Sequence, residues 1–556
     1  MIKESVLIVT KLDKDKIDLS FDAGICHTYN FGNGRLNRGT TTSLNNAKKL
    51  HQLALKEKGN YTDFIYSTNQ FFLKHDIIFN QNLSLYFLSI HSNKRSEFFS
   101  TYTEYLHQLI LKDILNSNEY DTFYTIGFSK EEALQLEKNL GVKFTAAIPV
   151  NFNQRKTTRN MLNSFYIFSF VYLMVIKLLF KRRNILTDEF FIAQFPKHFN
   201  DDFTHKKYGS LVKKEKSLFL LTVLSDGFHQ NLKPLSFLKA IIQLLKKSNR
   251  RRHILLDRYL SWKDFFGAIR FQFDLKKKLQ KLKEEKYVLN GIDLSHQLHK
   301  ELKLAAVQIP RLLFYFNAYR TVFDQFSPQK VTYYLHEFVS GRFISYLLNT
   351  YHPKITSIGF QHGPIAELKL LYALSPKEVI NKNHLHSVPL PQQNFCENEE
   401  AKTIYRSYGY PNLEVQPNIE RLDYLKTVKR DNILEGTCLV ACGLHDADLI
   451  MQYIIQNKIH QKKKVWFKLH PMTRSKSFQK QIKELNTPNI SLAQNPLPFY
   501  LEKTEEVIAT YSSVGEEAFN LGIKTTVLVF DYALNESPLM SREITHNNLT
   551  INYISN

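Results

Sequence analysis

The sequence predicts an α/β fold with more than one parallel sheet. Apolar runs that read as buried strands alternate with helical patterns along the chain. Several runs stop at a polar or glycine turn, the edge where open parallel sheets meet their ligands. The chain has 556 residues, room for two or three domains.

Residues 1–160 read as an N-terminal α/β region that can belong to the acceptor domain. Its strand candidates are Ser5-Val-Leu-Ile-Val-Thr10, Asp63-Phe-Ile-Tyr66, Thr122-Phe-Tyr-Thr-Ile126 and residues 144–150. Helical spacing is clearest at 103–115 and 130–140. Phe31-Gly-Asn-Gly34-Arg35 follows no strand and reads as a turn. Residues 1–4 lead straight into a strand, so no signal peptide is expected.

Residues 161–185 hold the most apolar segment, Phe165 to Phe180, followed by Lys181-Arg182-Arg183. With Lys177 inside it, it is short for a span of about 20 residues. Two readings stand: a buried helix, or an interfacial helix with its basic triplet on anionic headgroups.

Residues 186–390 read as a second Rossmann-like domain. Strands are expected at 217–224, 253–256, 331–335 and 355–360, and helices at 234–247, 264–286 and 340–349. Two of the strands end in His336-Glu337 and in Gln361-His362-Gly363. Residues 391–430 read as an interdomain crossing, with 388–425 irregular around Pro389, Pro391, Pro411 and Pro417. The last domain, 431–556, begins with the strand Thr437-Cys-Leu-Val-Ala441 and the turn Gly443-Leu-His445-Asp446. A helix at 446–457 and strands at 465–469, 489–493, 506–510 and 525–530 complete a Rossmann-like order.

The net charge of +22 suits an anionic partner. No RNA-binding aromatic motif, zinc finger or helix-turn-helix pattern is present, which argues against nucleic acid. The cysteines Cys26, Cys396, Cys438 and Cys442 show neither disulfide pairing nor zinc spacing. A reducing, cytoplasmic compartment is expected, peripheral on the membrane if the apolar segment is interfacial.

Two stretches of the last domain carry chemistry. Val465-Trp-Phe-Lys468-Leu-His470-Pro471 brings a histidine to a strand end, and Val507 to Gly522 brings Ser512-Ser513 to a helix start. A helix N-terminus with serines and a histidine beside it can hold a phosphate. Ser513-x-x-Glu516 also has capping-box spacing, which needs no ligand. Asp446-Ala-Asp448 lies at a helix start and reads as a cap rather than as the Asp-x-Asp of metal-dependent transferases.

Lys468-Leu-His470-Pro471 resembles the His-Pro motif of bacterial GT-B glycosyltransferases that use cytidine-nucleotide donors. Tyr511-Ser512-Ser513, with Glu517-Ala and Gly522, resembles their Ser-Ser motif. The group includes sialyltransferases, Kdo transferases of capsule and lipopolysaccharide assembly and, more distantly, CDP-glycerol polymerases. Gln361-His362-Gly363 is similar to a turn of many surface-carbohydrate transferases. The resemblance covers roughly 330–535 and implies a GT-B fold: two Rossmann-like domains facing a cleft, here with the extra N-terminal α/β region.

It implies donor contacts from Gly443, His445, Lys468, His470, Pro471, Ser512, Ser513 and Glu517. Glu517 is then freer than Glu516 to accept from ribose hydroxyls. His470 and the serines would stabilise the leaving phosphate without a metal or other cofactor. On the acceptor side, with Gln361 and Gly363, the base that deprotonates a sugar hydroxyl is Glu337 or His362. A carboxylate acting as nucleophile in a retaining displacement is the alternative. The implied donor is CMP-activated Kdo or another ulosonic acid, and the acceptor a glycan or lipid-linked glycan. Two other readings stay open: a CDP-glycerol-type polyol-phosphate transferase, and a non-catalytic, degenerate GT-B scaffold that binds polysaccharide or membrane.

Overall fold

The computed structural model describes residues 5–555, apart from 12–15, 19–24, 33–34, 38–40, 95–99, 149–156, 183–184, 186, 201–203, 209–210, 213–216, 225–233, 248–252, 336–338, 362, 381–382, 417–419, 472, 474, 486 and 543–546. Three parallel sheets organise it, and each repeats one winding. The first, of five strands, comprises Ser5–Thr10, Ile25–Asn30, Thr41–Ser43, Thr122–Ile126 and Ala146–Ile148, in the spatial order 3-2-1-4-5. The second has seven: Glu189–Gln194, Ser217–Thr222, His253–Leu255, Lys330–Tyr334, Thr356–Phe360, Gln393–Cys396 and Leu413–Val415, in the order 3-2-1-4-5-6-7.

The third has six: Thr437–Ala441, Lys464–Lys468, Ile490–Leu492, Glu506–Ala509, Lys524–Phe530 and Leu549–Ile554. Their order, 3-2-1-4-5-6, is that of dinucleotide-binding Rossmann sheets. The expected α/β architecture with two Rossmann-like domains is therefore present, and the N-terminal region adds a third sheet of the same winding.

The third sheet is covered on both faces. Cys438 and Val440 join one apolar cluster while Leu439 and Ala441 join another. That is the period-2 alternation of a strand buried on both sides. The first two sheets instead share one continuous core, from Leu7 and Val9 of the first to Phe190, Leu220 and Val331 of the second. All four cysteines are buried and free.

Four local expectations change. Asp63-Phe-Ile-Tyr66 is the last turn of the Ala47–Ser67 helix, not a strand. Leu50, Ala54, Tyr61 and Ile65 are buried at helical spacing there, and Asn46 caps the N-terminus by accepting from the Lys49 amide at 2.8 Å. Phe31-Gly32 does follow a strand, Ile25–Asn30, whose Thr28 and Asn30 kept its pattern from reading as apolar. The stretch 388–425 is not irregular. It contributes Gln393–Cys396, the helix Glu399–Ser407 and Leu413–Val415 to the second sheet. The described prolines Pro389, Pro391 and Pro411 sit outside those strands, as ladder hydrogen bonding requires. The apolar segment lies in a longer helix, Thr157–Leu179. Among the described residues no helix is long and apolar enough to cross a membrane.

Candidate functional site

In a sheet of order 3-2-1-4-5-6, adjacent strands 1 and 4 send their connections to opposite faces, which opens a crevice at their carboxyl ends. In the third sheet these are Thr437–Ala441 and Glu506–Ala509, paired so that Ala441 stands beside Ala509. The first exits through Cys442-Gly443-Leu444-His445-Asp446 into the helix Ala447–Gln456. The second exits through Thr510-Tyr511-Ser512 into the helix Ser513–Asn520.

The two loops are knitted together. The Leu444 amide donates to the Tyr511 hydroxyl at 3.0 Å. The Thr510 hydroxyl donates to the Asp446 carboxylate. Gly443 lies flat against the Tyr511 ring: a Cβ there would stand 2.5 Å from the ring carbon bearing the hydroxyl and 2.8 Å from Asp446 Oδ2. Asp446 is buried, and its Oδ1 has no hydrogen-bond partner among the described residues. Burial pushes its pKa up, with the Thr510 hydrogen bond opposing. Asp446 occupies the N-cap position as expected, but its side chain makes no capping bond. It ties loop to loop.

His470 and its neighbours join from strand 2. The His470 carbonyl accepts from the Thr473 amide at 2.9 Å, and the Thr473 hydroxyl donates to the Leu444 carbonyl at 3.3 Å. The His-Pro turn therefore packs on the Gly443 turn. His470 is half-buried, while Pro471 and His445 are exposed at the rim. Lys468 is held away, its ammonium donating to the Asn495 carbonyl at 3.0 Å, and burial lowers its pKa.

The capping box does not form. The helix opens at Ser513 with Ser512 as N-cap, and Ser512 makes no side-chain capping bond. Glu516 is buried and faces Arg542 at 3.7 Å. Glu517, expected to be the freer glutamate, is also buried and accepts from the Tyr424 hydroxyl. Both carboxylates are spent inside the protein. The hydroxyls of Ser512 and Ser513, both half-buried, form no hydrogen bond with any described residue. They stand at a helix N-terminus that adds a partial positive charge.

On the second sheet, Glu337 and His362 lie outside the described residues. Gln361 is buried and acts as a bracket: its Nε2 donates to the Gly363 carbonyl at 2.9 Å and its Oε1 accepts from the Glu397 amide at 3.0 Å. A Cβ at Gly363 would meet nothing within 4 Å, so packing does not demand glycine there.

Four residues that sequence reasoning passed over border this edge. Asp531 and Tyr532 follow the Lys524–Phe530 strand. Burial raises the Tyr532 pKa, and the charges of Asp446, Tyr511 and Asp531 act in the same direction. Across from them is His107 of the helix Thr101–Ser117, hydrogen-bonded through Nδ1 to the Tyr29 hydroxyl of the first sheet at 2.9 Å. Burial pushes its imidazole down to about 4, partly opposed by the Tyr532 main chain beside it. The second sheet reaches the same side through Glu400, which accepts from Arg542 Nε at 2.8 Å. Nothing local in the sequence marks these residues, because His107 and Glu400 each matter through a partner far along the chain, 78 positions away for Tyr29 and 142 for Arg542.

Among the described residues no group of three or more His, Cys, Asp or Glu could hold a metal ion. The arrangement offers two hydroxyls, a helix N-terminus, a glycine turn and a histidine at one sheet edge. That set can receive a phosphate and can stabilise charge developing on it.

No family model and no curated protein sequence matches the chain. Among solved structures it is similar to the UDP-GlcNAc 2-epimerase from Neisseria meningitidis bound to UDP-GlcNAc, at 14% identity, a TM-score of 0.34, and coverage of 65% of this chain and 86% of that one. It is also similar to the UDP-N-acetylglucosamine 2-epimerase from Rickettsia bellii, at 12% identity, a TM-score of 0.30, and coverage of 62% and 79%.

Proposed function

We propose that this protein is a glycosyltransferase whose nucleotide-sugar donor binds at the crevice of the third sheet. The observation that carries the reading is the convergence at one switch point of the Gly443 turn, the His470 turn and the Ser512-Ser513 helix start. The unspent serine hydroxyls point to an anion rather than to helix capping. The donor we favour is CMP-linked Kdo or another ulosonic acid, on the resemblance of the His-Pro and Ser-Ser motifs. The acceptor is a glycan or lipid-linked glycan of a surface polysaccharide.

In this reading, Ser512, Ser513 and His470 donate to the donor phosphate as the glycosidic bond breaks and negative charge grows on it. A stabilising field already in place then costs no reorganisation. Glu337 or His362 takes the proton from the acceptor hydroxyl as that oxygen attacks the anomeric carbon. Asp446 and Tyr511 hold the two loops in place and touch neither reactant.

A panel of CMP-, CDP- and UDP-sugars, each incubated with the protein and an acceptor mixture, tests this by nucleotide release. CMP release from an ulosonic acid donor is expected. CMP release from CDP-glycerol, with glycerol phosphate passed to the acceptor, would replace the donor assignment. Nucleotide binding without release from any donor would overturn catalysis in favour of a binding scaffold.

A further inference from the structure

The helices Thr157–Leu179 and Pro234–Lys247 pack on each other. Tyr172 stacks on Phe237 with ring centroids 3.8 Å apart and planes 3° from parallel. Inward, Leu173 and Ile176 of one helix and Ile241 and Leu244 of the other are buried. An ordinary surface helix would be polar on its other face. These are not. Val171, Met174 and Leu178 are 49%, 53% and 85% exposed, and Leu235, Leu238 and Leu245 are 75%, 55% and 44% exposed. The spacings of three, four and seven put each set on one stripe. Trp262, at the start of the next helix, extends the apolar surface beside the exposed Phe170, with ring centroids 5.0 Å apart.

The charge around these stripes is one-sided. Residues 151–187 contain seven Lys or Arg and no Asp or Glu, and residues 227–256 contain the same seven and none. Of these, Lys181, Arg182, Lys239 and Lys246 are exposed. Exposed apolar surface on this scale marks an interaction site.

We propose that this face docks the protein on an anionic lipid bilayer, the two helices lying in the headgroup plane with their exposed leucines below it. Charge selects the occupant. A second copy would set the same cations against themselves, whereas anionic headgroups neutralise them while the acyl boundary takes up the leucines. The face draws on two helices 55 residues or more apart, counted from Leu179 to Pro234, so the sequence segment around Phe165 supplies only half of it. It stands apart from the third-sheet crevice and does not depend on what binds there.

Vesicle flotation of the full chain tests it. Phosphatidylglycerol-containing vesicles are expected to carry the protein at low salt and to release it at high salt, and phosphatidylcholine vesicles to leave it behind. Leu178→Glu with Leu235→Glu, and separately Lys181→Glu with Lys246→Glu, should weaken partitioning roughly tenfold or more. All four residues are exposed, so melting temperatures should not move. Lys476→Glu with Lys480→Glu, exposed on a third-sheet helix, removes the same net charge and should bind as the unaltered protein. Equal loss in this control would reduce the effect to net charge and overturn the proposal. So would failure to float with anionic vesicles, or a dimer in sedimentation that the leucine variant dissociates.

Discussion

Thr510 donates its hydroxyl to the buried carboxylate of Asp446, joining the loops after strands 1 and 4 of the third sheet. These are the loops that define the crevice, so this bond sets its width. Replacing Thr510 with Val removes a hydroxyl donor from a buried carboxylate whose Oδ1 already has no partner among the described residues. Unfolding in urea should then show a loss of about 1–3 kcal/mol. A cycle with Asp446→Asn should be non-additive, because both changes act on one bond.

Gly443 and Gly363 make a matched pair. Alanine at Gly443 drives a Cβ to within 2.5 Å of the Tyr511 ring, while alanine at Gly363 meets nothing within 4 Å. Overpacking of this kind costs about 1–3 kcal/mol. Gly443→Ala should therefore lower the melting temperature and weaken nucleotide binding together. Gly363→Ala should stay within about 0.5 kcal/mol of the parent. Differential scanning calorimetry of both variants separates a steric requirement from a general intolerance of side chains in turns.

Two serines at helix starts should behave oppositely. Ser129 forms a complete capping box, accepting from the Glu132 amide at 3.2 Å while its own amide donates to Glu132 at 2.9 Å. Ser129→Ala should cost about 1 kcal/mol. Ser512 makes no such bond. Ser512→Ala should leave the apo melting temperature within about a degree or two, the shift expected for a few tenths of a kcal/mol. The stabilisation by added CMP or CDP should nevertheless shrink. A large apo destabilisation would return Ser512 to a structural role.

Acid should destabilise the fold through His107, which the Thr101–Ser117 helix sets beside the Tyr532 main chain. Its imidazole titrates near 4 in the folded protein because burial disfavours the cation. In the unfolded chain it titrates near 6.5, about the model-peptide value. The unfolded state therefore binds more protons between these values. Stability from this group is complete above about pH 6.5 and falls as pH drops toward 4, by about 3 kcal/mol at most. His107→Asn should flatten that limb of a stability–pH profile while leaving the carboxylate limb below it.

The proposed chemistry divides between two sheets. His470→Ala should reduce both turnover and CMP affinity. Glu337→Ala or His362→Ala should leave affinity nearly intact. The one that serves as base should lose about 100- to 10,000-fold in rate. Calorimetry of CMP binding beside a turnover assay reads the split. If His470→Ala binds and turns over normally, the His-Pro turn is only the end of a strand.

Local periodicity carried much of the secondary structure. The helix at 130–140 and the strand at 437–441 end where their apolar spacing ends. The turns at Gly443, His470 and Ser512 were legible as well, because glycine, serine and histidine after a strand advertise themselves by type. The reading failed where a pattern was short. Phe-Ile-Tyr inside Asp63–Tyr66 is equally strand-like and helix-like until Leu50 and Ala54 show which face is buried. It failed also for Ser513-x-x-Glu516, where the helix starts one residue away from the register that capping requires and Arg542 claims the glutamate.

Sheet order and the meeting of loops belonged to the tertiary structure alone. Thr510 and Asp446 are 64 positions apart, and no local propensity links them. They meet because strand 1 pairs with strand 4 on that side, a choice set by helices that must cover a sheet with apolar residues on both faces. Composition could announce a basic, apolar surface. Only the packing of Tyr172 on Phe237 could decide that two helices, each apolar on both faces, present it together.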